Sequence, residues 1–133
     1  AYALMKTDNG VVAMLHSSAT QWRHSFNLEV TLETGMIILS GILSGSKSYG
    51  NETLTIIRRL GDDRGDPTEE FREYNNDPSW EDEIRDFSDA ILNNRKITEG
   101  NSDDAYKTMQ LVYDIYCADV SWKGKWNLEN NKG

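Results

Sequence analysis

With one cysteine, Cys117, the chain can form no intramolecular disulfide and no thiolate metal cluster, so a reducing, cytoplasmic setting is expected. Cys117 itself reads as a small buried hydrophobe. Long apolar runs are missing as well: mean hydropathy is −0.65, and nothing approaches the roughly 18 apolar residues that cross a bilayer, so no membrane partner is expected. Basic excess is the third absence. A net charge of −8 argues against a nonspecific nucleic-acid binder, which needs Lys and Arg to neutralise phosphates. Finally, 133 residues make one ordinary domain, too little for a cofactor fold plus a substrate fold. We therefore read residues 1–133 as a single domain. The start at Ala1-Tyr2-Ala3-Leu4, without initiator methionine or leader, suggests an excerpt or a processed product.

Catalytic strings are equally scarce. No G-x-G-x-x-G marks a dinucleotide turn. Gly41-Ile42-Leu43-Ser44-Gly45-Ser46-Lys47-Ser48 looks like a Walker loop but has Ser46 before Lys47 and its second glycine one position early, so it reads as a loop between strands. No G-x-S-x-G elbow places a nucleophilic serine, and no H-E-x-x-H supplies zinc ligands. No catalytic residue and no metal site is assigned.

The acids are concentrated. Asp62 to Ala90 holds twelve acids against three bases, while the rest of the chain holds ten acids and eleven bases. Asp62-Asp63-Arg64-Gly65-Asp66-Pro67 lacks calcium-loop spacing, and the whole run reads as a solvated connector followed by acids at helix starts, where they meet the positive end of the helix dipole.

The first two thirds alternate as strands. Tyr2–Lys6 and Val11–His16 flank Thr7-Asp8-Asn9-Gly10, a hairpin signal because Asn and Gly tolerate positive φ. Phe26, Leu28, Val30 and Leu32 alternate with Asn27, Glu29, Thr31 and Glu33; after the turn at Glu33-Thr34-Gly35, Met36–Leu39 has the fuller apolar character of a central strand. Thr53–Arg59 alternates again.

Helices follow. Asp77 caps a helix with Pro78 in its first position, and Trp80, Ile84, Phe87 and Ile91 recur at spacings of four, three and four. Ser102 is expected to cap a second helix presenting Ala105, Met109, Val112 and Tyr116 on one face. Trp80, Phe87 and Tyr116 read as core. Strands before helices predict an α+β fold, an open, mainly antiparallel sheet with C-terminal helices packed on one face.

One cluster has the chemistry of a binding site. Gln21-Trp22-Arg23-His24 sets an aromatic plate, a planar cation and amide or imidazole hydrogen-bonding groups side by side, which suits a sugar or a phosphorylated ligand; packing of Trp22 with Arg23 lying along it is the plainer alternative.

Asn9 to Ser18, then Gln21-Trp22, Phe26-Asn27-Leu28-Glu29-Val30 and Gly35-Met36-Ile37, with Glu83 to Leu92, Ser102-Asp103-Asp104-Ala105 and Ile115-Tyr116 behind them, resemble the C-terminal domain of the glucose-fructose oxidoreductase, inositol dehydrogenase and MocA (Gfo/Idh/MocA) family. The likeness runs from about Tyr2 to Asp119, through strand, turn and helix signatures. It implies the substrate-binding and oligomerisation domain of an NAD(P)-dependent oxidoreductase acting on a sugar, sugar nucleotide or polyol. NAD or NADP would sit on a Rossmann domain upstream of Ala1, as would the family's E-K-P and D-x-x-x-H motifs, which this sequence lacks. The resemblance thus implies a chain that is inactive and binds no cofactor alone, and that self-associates through its sheet face. It makes His24 the first candidate substrate contact, followed by Arg23, Trp22 and Gln21, with His16 a weaker one. The alternative is a non-enzymatic α+β module whose sheet docks on another protein.

Overall fold

The computed structural model describes residues 1–59, 61 and 67–129. Among them the order is β1 (Tyr2–Lys6), β2 (Val12–His16), β3 (Asn27–Leu32), β4 (Gly35–Ser40), β5 (Glu52–Arg58), β6 (Thr68–Tyr74), α1 (Ser79–Leu92), α2 (Ser102–Ala118) and α3 (Val120–Trp126). The fold is α+β, as the strand-then-helix order predicts. All pairings are antiparallel, but the strands form two sheets, β1-β2 and β3-β4-β5-β6, instead of one. The chain divides into two units, Ala1–Ser18 with Ile84–Gly133, and Ala19–Glu83. No helix among the described residues is long and apolar enough to cross a membrane.

The unit Ala19–Glu83 is built on the four-stranded sheet. Its register places Leu28, Leu39 and Leu54 in one row and Val30, Ile37 and Ile56 in the next row of the same face, so these side chains form an apolar patch bordered on β6 by Arg72 and Glu70. The opposite face carries Met36, Ile38 and Ile57 on its central strands and Phe71 on its outer strand, with Asn27, Glu29, Ser40, Thr53, Glu69 and Glu73 around them. β4 is flanked by strands on both sides, as its apolar run predicts, yet all its residues are only half-buried. Among the described residues of this unit, no other element packs on either face of the sheet.

The acid run departs from the expected connector. Asp62 to Asp66 lies outside the described residues, but Glu69, Glu70 and Glu73 belong to strand β6. Alternation of Thr68, Glu70, Arg72 and Tyr74 against Glu69, Phe71 and Glu73 carries the strand, and charge supports it: Arg72 binds Glu70 on the same strand, and Arg58, across on β5, lies 3.8 Å from that carboxylate. First Arg72, through its hydrogen bond and its charge, and then Arg58 hold the Glu70 carboxyl below its usual range. A charged outer strand also discourages edge-to-edge pairing.

In the other unit, β1 and β2 pair from Tyr2 with His16 to Lys6 with Val12. Of the expected turn pair, only Gly10 is left-handed (φ 92°). Asp77 caps α1 as predicted, its Oδ1 accepting the Ser79 N–H at 3.1 Å. Asn94 (φ 48°) ends the helix with Arg95 N–H on Ala90 O at 2.8 Å, the bond pattern of a left-handed cap. Arg95 then reaches back to Asp86 (2.5 Å) and Asp89 (3.4 Å).

Three expectations need correcting. Ser102 is the first residue of α2, and its cap is Asn101, whose Oδ1 accepts the N–H groups of Asp103 and Asp104 at 2.9 and 3.1 Å. The side-chain carbonyl of Asn reaches both donors from an extended backbone (φ −78°, ψ 178°), so the serine is not needed. Second, Trp80 (76%), Phe87 (53%) and Tyr116 (42%) are exposed, not core; of this stretch only Ala90 is buried. Their stripes are amphipathic as read, but among the described residues they stay largely uncovered. Third, Cys117 is half-buried, its Sγ 3.6 Å from Glu129 O.

Helix α3 had no sequence expectation. Asp119 caps it through the Trp122 N–H (2.9 Å), and Asn127 (φ 50°) closes it. Its aromatics continue a ladder from α2: Tyr116, Trp122 and Trp126 have ring centres 5.5 and 6.0 Å apart in succession, and the Lys125 ammonium lies over both indoles at 5.9 and 5.3 Å.

Candidate functional site

Two loops meet at one end of the four-stranded sheet. Residues 17–26 lead into β3 and residues 41–51 join β4 to β5. Asn27, Ser40, Thr53 and Glu73 form the last common row of the sheet beneath them. Gly41 N–H closes the corner on Phe26 O at 3.0 Å, and Ser40 Oγ donates to Asn27 Oδ1 at 2.6 Å. Gly41 is left-handed (φ 74°), and a Cβ there would collide with the backbone of Asn51, so only glycine lets the second loop leave the sheet at this point.

The second loop is held to the sheet by its own donors. Leu43 N–H donates to Glu52 Oε2 at 2.9 Å, and Asn51 Nδ2 donates to Glu73 Oε1 at 2.9 Å. Lys47 N–H donates to Ser44 O (3.0 Å), Lys47 is left-handed (φ 53°), and Gly50 N–H donates back to Lys47 O (3.4 Å). The hydroxyls of Ser44 and Ser46 lie 3.3 Å apart, and those of Ser46 and Ser48 2.6 Å. The Walker-like string is thus an inter-strand loop, as read.

His24 and Arg23 dock on this loop. The rings of His24 and Tyr49 have centres 5.0 Å apart at a tilt of 52°. Arg23 Nη2 lies 3.3 Å from the position a Cβ would take on Gly50 (φ 82°). Trp22 is fully exposed and Gln21 is exposed, so the packing alternative for Trp22 is not realised within the chain. His16 belongs to the other unit, stacked on Tyr2 with ring centres 4.4 Å apart and planes within 8°. Of the five sequence-derived residues, the structure therefore gathers Gln21, Trp22, Arg23 and His24 on one loop. It adds Lys47, Tyr49 and Gly50, whose only sequence signal is an aromatic and a cation set in a loop rich in glycine and serine.

Elsewhere, Tyr106, Met109, Gln110, Val112, Tyr113 and Tyr116 line a groove of about 310 Å³ along α2 alone, with one polar side chain, Gln110, among apolar and tyrosine rings. Among the described residues, no three His, Cys, Asp or Glu side chains gather as they do around a metal ion. Nor do they fit a nicotinamide dinucleotide: all strands pair antiparallel, and no glycine-rich turn leads from a strand into a helix N-terminus to receive a pyrophosphate. Neither a known protein family nor any curated protein or solved structure matches the chain.

Proposed function

We propose that the chain is the substrate-binding and oligomerisation domain of an NAD(P)-dependent oxidoreductase that acts on a sugar, sugar nucleotide or polyol in the cytoplasm. The carrying observation is the junction of the two loops, which presents an indole plate, a guanidinium, an imidazole and a phenol at the end of a rigid sheet. Sugar sites take this form, with an aromatic ring against the apolar face of the pyranose and planar polar groups on its hydroxyls. The motif order that resembles the Gfo/Idh/MocA C-terminal domain supports the reading, and the cofactor belongs to a separate Rossmann domain in cis.

The sheet supplies the surface for self-association. Its mixed face, with Met36, Ile38, Ile57 and Phe71 ringed by Asn, Thr, Ser and Glu, has the apolar centre and polar rim of a subunit interface. A non-enzymatic module would show the same face but gives the loop junction no task. In the protein that carries the Rossmann domain, His24→Ala should raise KM for the sugar substrate several-fold and leave NAD(P) affinity unchanged. Kinetics identical to the parent would overturn the assignment of His24.

A further inference from the structure

The loops 17–26 and 41–51 contain no Asp or Glu, in a chain that has 22. They carry two cations, Arg23 and Lys47. Neither is paired with a carboxylate among the described residues, whereas Arg58, Arg72 and Arg95 all are. The acids bordering the loops are already engaged, Glu52 by the Leu43 N–H and Glu73 by the Asn51 amide. An acidic protein thus keeps these two loops free of acids, and among the described residues their two cations have no carboxylate partner.

We propose that this junction is a phosphoryl-binding subsite that takes the phosphate or diphosphate of a phosphorylated sugar, with Arg23 as the planar fork and Lys47 as the point charge. The anion part rests on the two loops alone; the sugar part rests on the function proposed above. Arg23 suits the task because a guanidinium can donate two parallel N–H bonds to phosphoryl oxygens. Gly50 keeps the space beside it open, since any side chain there would stand 3.3 Å from Nη2. Lys47 holds a left-handed backbone that a lysine adopts only under constraint from its loop, here the Ser44 and Gly50 hydrogen bonds. Ser46 and Ser48 add neutral hydroxyl donors, and the contact of His24 with Tyr49 fixes one loop against the other. Trp22, fully exposed beside Arg23, offers its face to the sugar or base attached to the phosphate.

The test is a ¹H–¹⁵N titration of the 133-residue chain with glucose 1-phosphate, inorganic phosphate and glucose. Glucose 1-phosphate and phosphate should shift the amides of Arg23, Lys47 and Ser48, and glucose should bind far more weakly. Arg23→Gln should weaken glucose 1-phosphate binding about tenfold, the scale of a lost charge-assisted hydrogen-bond pair. Lys47→Asn, which accepts the left-handed backbone, should weaken it several-fold, and Thr31→Val at the opposite end of the sheet should change nothing. Phosphate binding that gains nothing from an attached sugar upholds the subsite while the sugar-directed function fails. Glucose binding as well as its phosphate, with Arg23→Gln silent, overturns the subsite while that function stands. Absence of shifts in both loops with either phosphate probe overturns the subsite outright.

Discussion

The imidazole of His24 rests against the phenol ring of Tyr49, centre to centre 5.0 Å, although the two residues belong to different loops. This contact couples the segment entering β3 to the segment entering β5. We expect a double-mutant cycle of His24→Ala and Tyr49→Ala to show a coupling of about 0.5 to 1 kcal/mol, the lower range for an aromatic pair because His24 is exposed. Chemical denaturation of the four variants measures it. Additive losses would mean that the loops are held independently.

Two left-handed glycines separate conformational cost from collision. Gly10 (φ 92°) has open space where a Cβ would go, whereas at Gly41 (φ 74°) the backbone of Asn51 occupies it. Gly10→Ala should therefore cost about 1 kcal/mol, the price of the left-handed backbone. Gly41→Ala adds displacement of the β5 entry and should cost about 3 kcal/mol or more. The same variant should also broaden the amide signals of Lys47 to Asn51.

The cap of α2 is tested by neighbouring substitutions. Asn101→Ala removes the acceptor of two N–H groups and should lower stability by about 1 kcal/mol. Ser102→Ala, inside the first turn, should be neutral within a few tenths of a kcal/mol. If the serine variant lost more than the asparagine variant, the cap would be misplaced.

Which features could be read in the sequence follows from the range of the forces involved. The hairpin at Gly10, the alternation in β3, the central position of β4 and the Asp77 cap all arise within a few residues, and all appear where the pattern puts them. β6 is hidden in the sequence because four of its seven residues, Glu69, Glu70, Arg72 and Glu73, are charged, and such a charge density resembles a connector. What fixes β6 is the pairing with β5, a long-range fact that includes Arg58 over Glu70. The stripes of α1 and α2 were legible, but their burial was not, since periodicity says which face is apolar and nothing about what covers it. The site divides the same way: Gln21 to His24 are adjacent in sequence, whereas Tyr49 and Gly50 join them only through the strand order.

Acid should release α1 at its first turn. Hydrogen bonds from Ser79, its side chain foremost and then its N–H, hold the Asp77 carboxyl below the usual carboxylate range. A depressed folded-state value means that the capping contribution is complete above the unfolded value of about 3.9 and is lost as pH falls through the lower folded value. Helicity followed by circular dichroism should drop over that interval in the parent chain. Asp77→Asn keeps the cap without a titrating group, so its helix signal should stay level over the same interval apart from changes shared by both proteins.

The proposed self-association would use one face of the sheet. Phe71 is 62% exposed and stands beside Thr55, in the row of Ile38 on the mixed face, whereas Leu39 and Ile56 lie on the opposite face with Glu70 and Arg72. A surface with an aromatic anchor and a polar rim is organised for a partner that must also leave water at its edges. Sedimentation of the 133-residue chain should show concentration-dependent association. Phe71→Ala should weaken it about thirtyfold, the scale of an interface anchor worth about 2 kcal/mol. Thr68→Ala, on the same strand but on the opposite face, should leave it unchanged. A chain that stays monomeric at high concentration would remove the oligomerisation role, and equal weakening by both substitutions would move the interface off the mixed face.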